Sequence, residues 1–372
     1  MKIVVFGLSI TSSWGNGHAT TFRALARALH SRGHSIDFFE HDLEWYASNR
    51  DLPEPEFCRV HIFDNWKSIV RRARRKLREC DVAMVGSYFP DGVQAIDEMM
   101  DSPAPVKTFY DIDTPITVAQ LREAGRTPYL RREQIPGLDV YFSFTGGPML
   151  DELETRFGAR RAVPLYCSFD PQQYRVWPIH KRYECDFSYM GTYAPDRQPK
   201  IEELFCETAR RLPKKTFILA GPQYPKELKW PRNVRRICHL NPRWHARFYS
   251  SSRFTLNVTR QDMVRAGYSP SVRLFEAAAC GTTIVSDTWP GIEQFFTPGK
   301  EILLPHSTDD VVNYLESDGA EWGRIGLRAQ QRVLAEHTSE RRAEQFEQYV
   351  QQAGEPRKRT AVAERPTVVA AS

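Results

Sequence analysis

Apolar residues fall along the chain in two alternating rhythms. Short runs of β-branched and aromatic residues end in Gly, Ser, Asp or Thr, as buried strands do. In the first half they lie at Ile3–Phe6, Ser35–Glu40, Val82–Val85, Val106–Tyr110, Val140–Phe144 and Ala162–Leu165. Between them the period lengthens to that of an amphipathic helix over Thr20–Arg32, Trp66–Cys80, Val93–Met100 and Met149–Phe157. Strands separated by helices at this spacing predict βαβ units and a parallel sheet. Pro171 and Pro178 then interrupt a stretch of little periodicity, which reads as a linker over 171–182. Beyond it the rhythm restarts, with strands at Phe187–Met190, Thr216–Ala220, Val234–Ile237, Phe254–Val258, Thr283–Ser286 and Ile302–Leu304. Helices are expected at Pro199–Arg211, Ala246–Ser251, Val272–Cys280 and Asp309–Ser317. The pattern predicts an α/β protein of two Rossmann-like domains, 1–170 and 183–321, with ligands bound in a cleft at the carboxyl ends of the strands. Residues 322–352 read as helical, and 353–372, without an apolar period, as a disordered tail.

Composition narrows the class. At 372 residues, 41% hydrophobic and 26% charged, the chain fits two ordinary domains and excludes wholesale disorder. No apolar run approaches the roughly 18–20 residues of a membrane span, and Met1–Gly7 lacks the long apolar region of a secretory signal. The seven cysteines are scattered without a C-x-x-C pair, which argues against a disulfide framework or zinc site and for reduced thiols in a cytoplasm. A net charge of +5 is too mild to imply nucleic acid. The basic run Arg71–Arg78 lies opposite a stripe of Ile69, Val70, Ala73 and Leu77, so it forms a solvated helix face; weak contact with an anionic membrane surface is the alternative.

The candidate chemistry lies where strands run into loops. After the first strand, Gly15, Asn16 and Gly17 allow close backbone approach, and His18 at the helix start is placed to take a proton from a hydroxyl. Thr20 breaks the dinucleotide fingerprint, which disfavours a Rossmann oxidoreductase. Asp111-Ile112-Asp113-Thr114-Pro115 puts two carboxylates at a strand end; in an extended chain they share one face and suggest a divalent cation, or they make polar contacts lining the cleft, or one caps the helix after Pro115 while the other faces water. Thr145-Gly146-Gly147 opens another helix. In the second half, Gly191-Thr192 leads to Arg197, a residue type that holds phosphate bidentately. Downstream, Arg265, Tyr268, Ser269, Ser271, Arg273 and Glu276 surround a helix N-terminus suited to an anion. Glu276, amid alanines on a sheet, needs a partner: a ribose diol, or Arg273 three residues before it.

Five segments in this order resemble the CgeB-like (spore maturation protein) glycosyltransferases: Ser13–Thr21, Tyr110–Pro115, Gly191–Tyr193 with Arg197, Ala220–Pro225 and Ser269–Gly281. The resemblance runs from about Met1 to Gln352 and implies a GT-B fold. It implies a nucleoside diphosphate sugar, UDP-, TDP- or GDP-linked alike, bound mainly by the C-terminal domain, an acceptor met mainly by the N-terminal one, and a final helix crossing back. It also implies no bound metal and no cofactor beyond the donor itself. Retaining enzymes of this fold carry two glutamates eight positions apart; Glu276 matches the second, and Tyr268 stands at the place of the first. The expected reaction is sugar transfer to an acceptor hydroxyl. His18 or Asp113 would be the base if it inverts, and His18 would position the donor if it retains. Gly191, Thr192, Arg197, Arg265, Tyr268, Ser269, Ser271, Arg273 and Glu276 would bind the donor. Gly15, Asn16, Gly17, Asp111, Thr114, Thr145 and Gly146 would line the acceptor side. A nucleotide-sugar epimerase, a sugar phosphorylase or a non-catalytic nucleotide-sugar-binding protein of the same fold are the competing readings, with a metal-dependent transferase resting on Asp111 and Asp113.

Overall fold

Parallel strand pairing organises the chain twice. The computed structural model describes residues 1–15, 17–317 and 319–355; Asn16 and the tail from residue 356 lie outside them. The first sheet holds β1 (Lys2–Phe6), β2 (Ser35–His41), β3 (Arg59–Phe63), β4 (Val82–Gly86), β5 (Val106–Asp111), β6 (Val140–Ser143) and β7 (Ala162–Pro164), in the order β3-β2-β1-β4-β5-β6-β7. Its helices are α1 (Gly17–Ser31), α2 (Glu44–Ala47), α3 (Trp66–Glu79), α4 (Gly92–Met100), α5 (Thr114–Ala124) and α6 (Pro148–Thr155). The second sheet holds β8 (Cys185–Met190), β9 (Phe217–Ala220), β10 (Val234–Ile237), β11 (Ser252–Asn257) and β12 (Thr283–Ser286), in the order β10-β9-β8-β11-β12. Around it lie α7 (Gln198–Ile201), α8 (Glu207–Arg211), α9 (His245–Ser250), α10 (Gln261–Ala266), α11 (Val272–Ala279) and α12 (Thr308–Glu316). The chain closes with α13 (Ala320–Glu336) and α14 (Ser339–Gly354).

These strands read as unbroken apolar runs because both faces are covered. In β1, Ile3 and Val5 enter one core while Val4 and Phe6 enter another on the opposite face. The first core continues into the second lobe through Leu274, Phe275 and Phe296, and a third core fills the outer face of the second sheet. In each sheet the first strand in sequence sits inside, with later strands added on both sides, so the loops after β1 and β8 open at a topological switch point. At the end of the chain, α13 packs on α11 and α14 packs on α1 of the first lobe. There Phe346 meets Phe142 at 5.4 Å, and Arg32 donates twice to Glu347.

Two strands differ from the sequence expectation. β3 is an additional edge strand; its apolar alternation is masked because His61 is buried, stacked on Phe39 and bonded to Asp37. Ile302–Leu304 is no ladder strand; Leu303 makes one bridge to Val285. On α3 the apolar stripe of Ile69, Ala73 and Leu77 is buried, while Arg71, Arg72, Arg75 and Arg78 face solvent. The tail expected at 353–372 falls outside the described residues from 356 onward, and residues 353 and 354 finish α14.

Candidate functional site

The carboxyl edges of the two sheets face each other across a cavity of about 400 Å³, within the size range of small-ligand sites. Both lobes line it, and each wall is held by buried polar contacts.

The wall of the first lobe is built around a loop that Glu40 shapes. This fully buried carboxylate, at the end of β2, accepts from the Ile10 and Thr11 amides (2.7 and 3.0 Å) and from the Ser9 and Thr11 hydroxyls (3.0 and 2.5 Å). Asp51 secures the next residues, accepting from the Ser13 amide and hydroxyl and, at 2.8 and 2.9 Å, from both ends of Arg23. Burial alone would raise the Asp51 pKa, but these donors outweigh it and hold it at about 2. Gly15 turns at a φ of 59°, and α1 then presents His18. The His18 Nε2 lies 3.7 Å from an Asp113 oxygen, and its ring stands edge-on to Tyr88 at 5.4 Å. Tyr88 has a φ of 62°, a strained conformation for so bulky a residue and one that clusters at functional sites. At the tip of the loop, Trp14 meets His239 of the other lobe, ring centres 4.4 Å apart.

The wall of the second lobe depends on two chain segments passing closely. A Cβ on Gly221, whose φ is 151°, would sit 1.9 Å from the Gly191 carbonyl oxygen, so only glycine fits there. Beside them Arg197 donates to the Thr192 carbonyl (2.5 Å). Asn257, at the end of β11, accepts from the Ser271 hydroxyl (3.0 Å) and from Arg273 (2.8 Å), whose Nε also donates to the Met190 carbonyl (2.5 Å). Ser271 spends its hydroxyl on Asn257 and gives α11 no side-chain cap, so the helix start faces the cavity with its first amides. Asp287 accepts from the Thr259 amide and hydroxyl (3.0 and 2.9 Å) and so fixes the turn that presents Arg260.

Glu276 lies in the floor, only 4% exposed but lining the cavity. Burial pushes its pKa up to about 7, against the pull of the Tyr174 hydroxyl and the Arg273 guanidinium. It makes no ion pair among the described residues, because Arg273 is committed to Met190 and Asn257. The Tyr174 hydroxyl serves two neighbours with one proton: Glu276 and, at 3.2 Å, Nδ1 of His245. His245, neutral through burial with a pKa near 4, donates from Nε2 to the Leu240 carbonyl. Glu276 therefore keeps acceptor capacity for hydroxyls arriving in the cavity.

The structure gathers Gly15, Gly17, His18, Asp113, Gly191, Thr192, Arg197, Ser269, Ser271, Arg273 and Glu276 around one cavity. It excludes others. Arg265 points outward, 73% exposed and paired with Asp262. Asp111 is buried, accepting from Tyr141 (2.6 Å) and Thr117 (2.9 Å), and burial raises its pKa to about 6. The two aspartates share no face, because β5 ends at Asp111 and Asp113 turns into the residue before α5. Thr114 is buried against Ser143. Tyr268, Thr145 and Gly146 join the lobes instead of lining the cavity. The Tyr268 ring, at a φ of 49°, lies against Gly147 of one lobe and Gly291 of the other. Its carbonyl accepts from Gly146, its amide donates to Pro290, and Thr145 donates to Ser269 (2.9 Å). Asn16 is outside the described residues. The sequence reading missed Arg260, His239 and the supports Glu40, Asn257 and Asp287; the signal available was that each lies at or just past the carboxyl end of a strand.

Comparison with known proteins bears on this cavity. The profile of a family described as glycosyl transferase-like matches residues 197–348, the part that holds Arg197, Arg260 and Glu276. No curated protein matches the chain in sequence. Solved structures match over nearly the whole chain. Sucrose-phosphate synthase (tll1590) from Thermosynechococcus elongatus has a TM-score of 0.66 at 13% identity, covering 95% of this chain and 99% of its own. Anabaena Alr3699/HepE in complex with UDP and glucose scores 0.68 at 14%, covering 95% and 100%. An alpha-glucosyltransferase in complex with UDP-glucose and DNA containing an abasic site scores 0.66 at 14%, covering 94% and 99%. The fold is GT-B. In this GT-B chain the residues matched by the glycosyl transferase-like profile include Glu276 and the three guanidinium groups of the cavity. Among the described residues no cluster of three or more His, Cys, Asp or Glu side chains could hold a metal ion, and no helix is long and apolar enough to cross a membrane.

Proposed function

We propose that this protein transfers a sugar from a nucleoside diphosphate sugar to an acceptor hydroxyl without a metal ion. The observation that carries the reading is Glu276: a buried acid at the cavity floor, with spare acceptor capacity, beneath a ring of cations and open amides. Two ribose hydroxyls donating to this carboxylate satisfy it without a counter-ion. Arg197 and the start of α11 receive the diphosphate, where the helix dipole and a bidentate guanidinium replace a cation. Gly191 and Gly221 leave room for the ligand to approach the backbone. The sugar then projects toward His18 and Asp113. In an inverting reaction that pair takes the acceptor proton; in a retaining one it orients the donor.

A UDP-sugar is the first donor to try, since the HepE and alpha-glucosyltransferase structures were solved with UDP or UDP-glucose. The order and content of the strand-end motifs support a CgeB-like enzyme within the GT-B fold. The free cysteines, most of them buried, support a reducing cytoplasm as its setting. Thermal unfolding with UDP-, GDP- and TDP-sugars tests the donor. A ligand bound only by the native state raises its melting temperature in step with its concentration, and UDP release with and without acceptor candidates tests transfer. Absence of any shift with all three nucleotides would sink the reading. Conversion of the sugar with no nucleotide released would make the protein an epimerase.

A further inference from the structure

Of the three guanidinium groups lining the cavity, Arg260 has the fewest ties to the protein. Arg273 is committed to Met190 and Asn257, and Arg197 to the Thr192 carbonyl. Arg260 forms no carboxylate pair among the described residues, and its buried Nε lacks an acceptor. Its backbone is nevertheless fixed. It directly follows Thr259, which Asp287 pins, and it precedes α10, which packs on α5 of the opposite lobe. Its charge is felt at the Tyr88 phenol, whose ring stands against His18. Arg260 is thus a cation of the donor lobe placed toward the wall that carries His18 and Asp113.

That placement matters because charge does not develop evenly on a diphosphate leaving group. As the bond from the anomeric carbon to the β-phosphate oxygen breaks, the electron pair stays on that oxygen. The bond from the anomeric carbon to the acceptor oxygen forms, and the acceptor proton passes to a base or to the departing diphosphate. The oxygen that gains charge is the one next to the sugar, on the side of the first lobe. We propose that Arg260 is a catalytic residue that contacts this oxygen and stabilises it chiefly in the transition state, while Arg197 holds the diphosphate in ground and transition states alike. The assignment rests on the donor reading above.

UDP-glucose hydrolysis, with water as acceptor and UDP release as the signal, tests it in the full-length protein. Arg260→Ala should lower kcat by about 100-fold or more, with UDP affinity by calorimetry changed by less than about fivefold. Arg260→Lys should recover part of the rate, and millimolar guanidinium ion should rescue Arg260→Ala. A kcat within threefold of wild type overturns the proposal, as does a loss of UDP affinity as large as the loss of kcat. Both leave the donor reading standing if wild-type protein still binds the nucleotide sugar. A wild-type protein that binds none sinks both.

Discussion

Replacing Glu276 by Gln should make the ligand-free protein more stable and the binding site worse. The carboxyl is buried, and burial raises its pKa to about 7 from the ordinary 4.5. Between those values the folded state binds a proton that the unfolded state has released. Stability from this group is therefore full below about pH 4.5 and drains away as pH rises through 7. A shift of this size corresponds to roughly 3 kcal/mol, lost at pH 8, where the acid must ionise without a counter-ion. Glutamine keeps the shape, cannot ionise, and should restore up to about that amount at pH 8 while changing little at pH 5. Donor binding should move the other way. Two hydroxyls donating to a carboxylate contribute about 1.5–3 kcal/mol per bond, and glutamine's single carbonyl oxygen replaces them poorly, so UDP affinity should fall at least about tenfold. Wild-type affinity should also weaken as pH drops below 7, because the proton competes with the ribose; the variant should lose that dependence. Urea unfolding at pH 5 and 8 and calorimetric titration with UDP across the same range read both effects. Lower stability of Glu276→Gln at pH 8, or unchanged UDP affinity, would refute the reasoning.

Glu40→Ala removes the acceptor of two amides and two hydroxyls and should cost about 3 kcal/mol or more in urea unfolding; a cost below about 1 kcal/mol would show that the loop holds its own shape. Asp51, with its pKa near 2, contributes stability above about pH 4 that is lost as pH falls through 2. Asp51→Ala should accordingly cost about 1–2 kcal/mol at pH 7, discounted for partial exposure, and almost nothing at pH 2 in acid-unfolding curves. Gly221→Ala forces a Cβ onto the Gly191 carbonyl, so it should destabilise by about 3 kcal/mol or more and abolish the UDP-induced thermal shift; a variant that still shows that shift would mean the two segments part easily.

The two-sheet architecture was legible because a parallel strand covered on both faces is written as a plain apolar run, as in Ile3–Phe6. The edge strand β3 escaped because its polar His61 is buried. Glu276 was legible for a similar reason: an acid set among alanines has no innocuous place on a packed helix. Glu40 was not, because the loop it shapes is about thirty residues upstream and nothing local marks the meeting. The place of Arg260 in the cavity wall was hidden likewise, since it is set by Asp287 and by the packing of α10 on α5. Tyr268 does not line the cavity, where its spacing from Glu276 had suggested it. It occupies the position eight residues before Glu276, but its backbone angle and the two bare glycines beside it give it mechanical work. Asp111 and Asp113 were read as neighbours on one face, which holds only while the chain stays extended, and the strand stops between them.

That tyrosine ring also has a mechanical consequence for the two lobes. Wedged between Gly147 and Gly291, with amide and carbonyl bonded to opposite halves, it pins the halves together at this point. It bears on the turn after β6, whereas Trp14 and His239 touch at the loop after β1, three strand positions and roughly 14 Å away. A change of angle between the lobes about the pinned tyrosine would therefore be largest at that indole–imidazole pair, which makes it the place to look for an opening of the cleft.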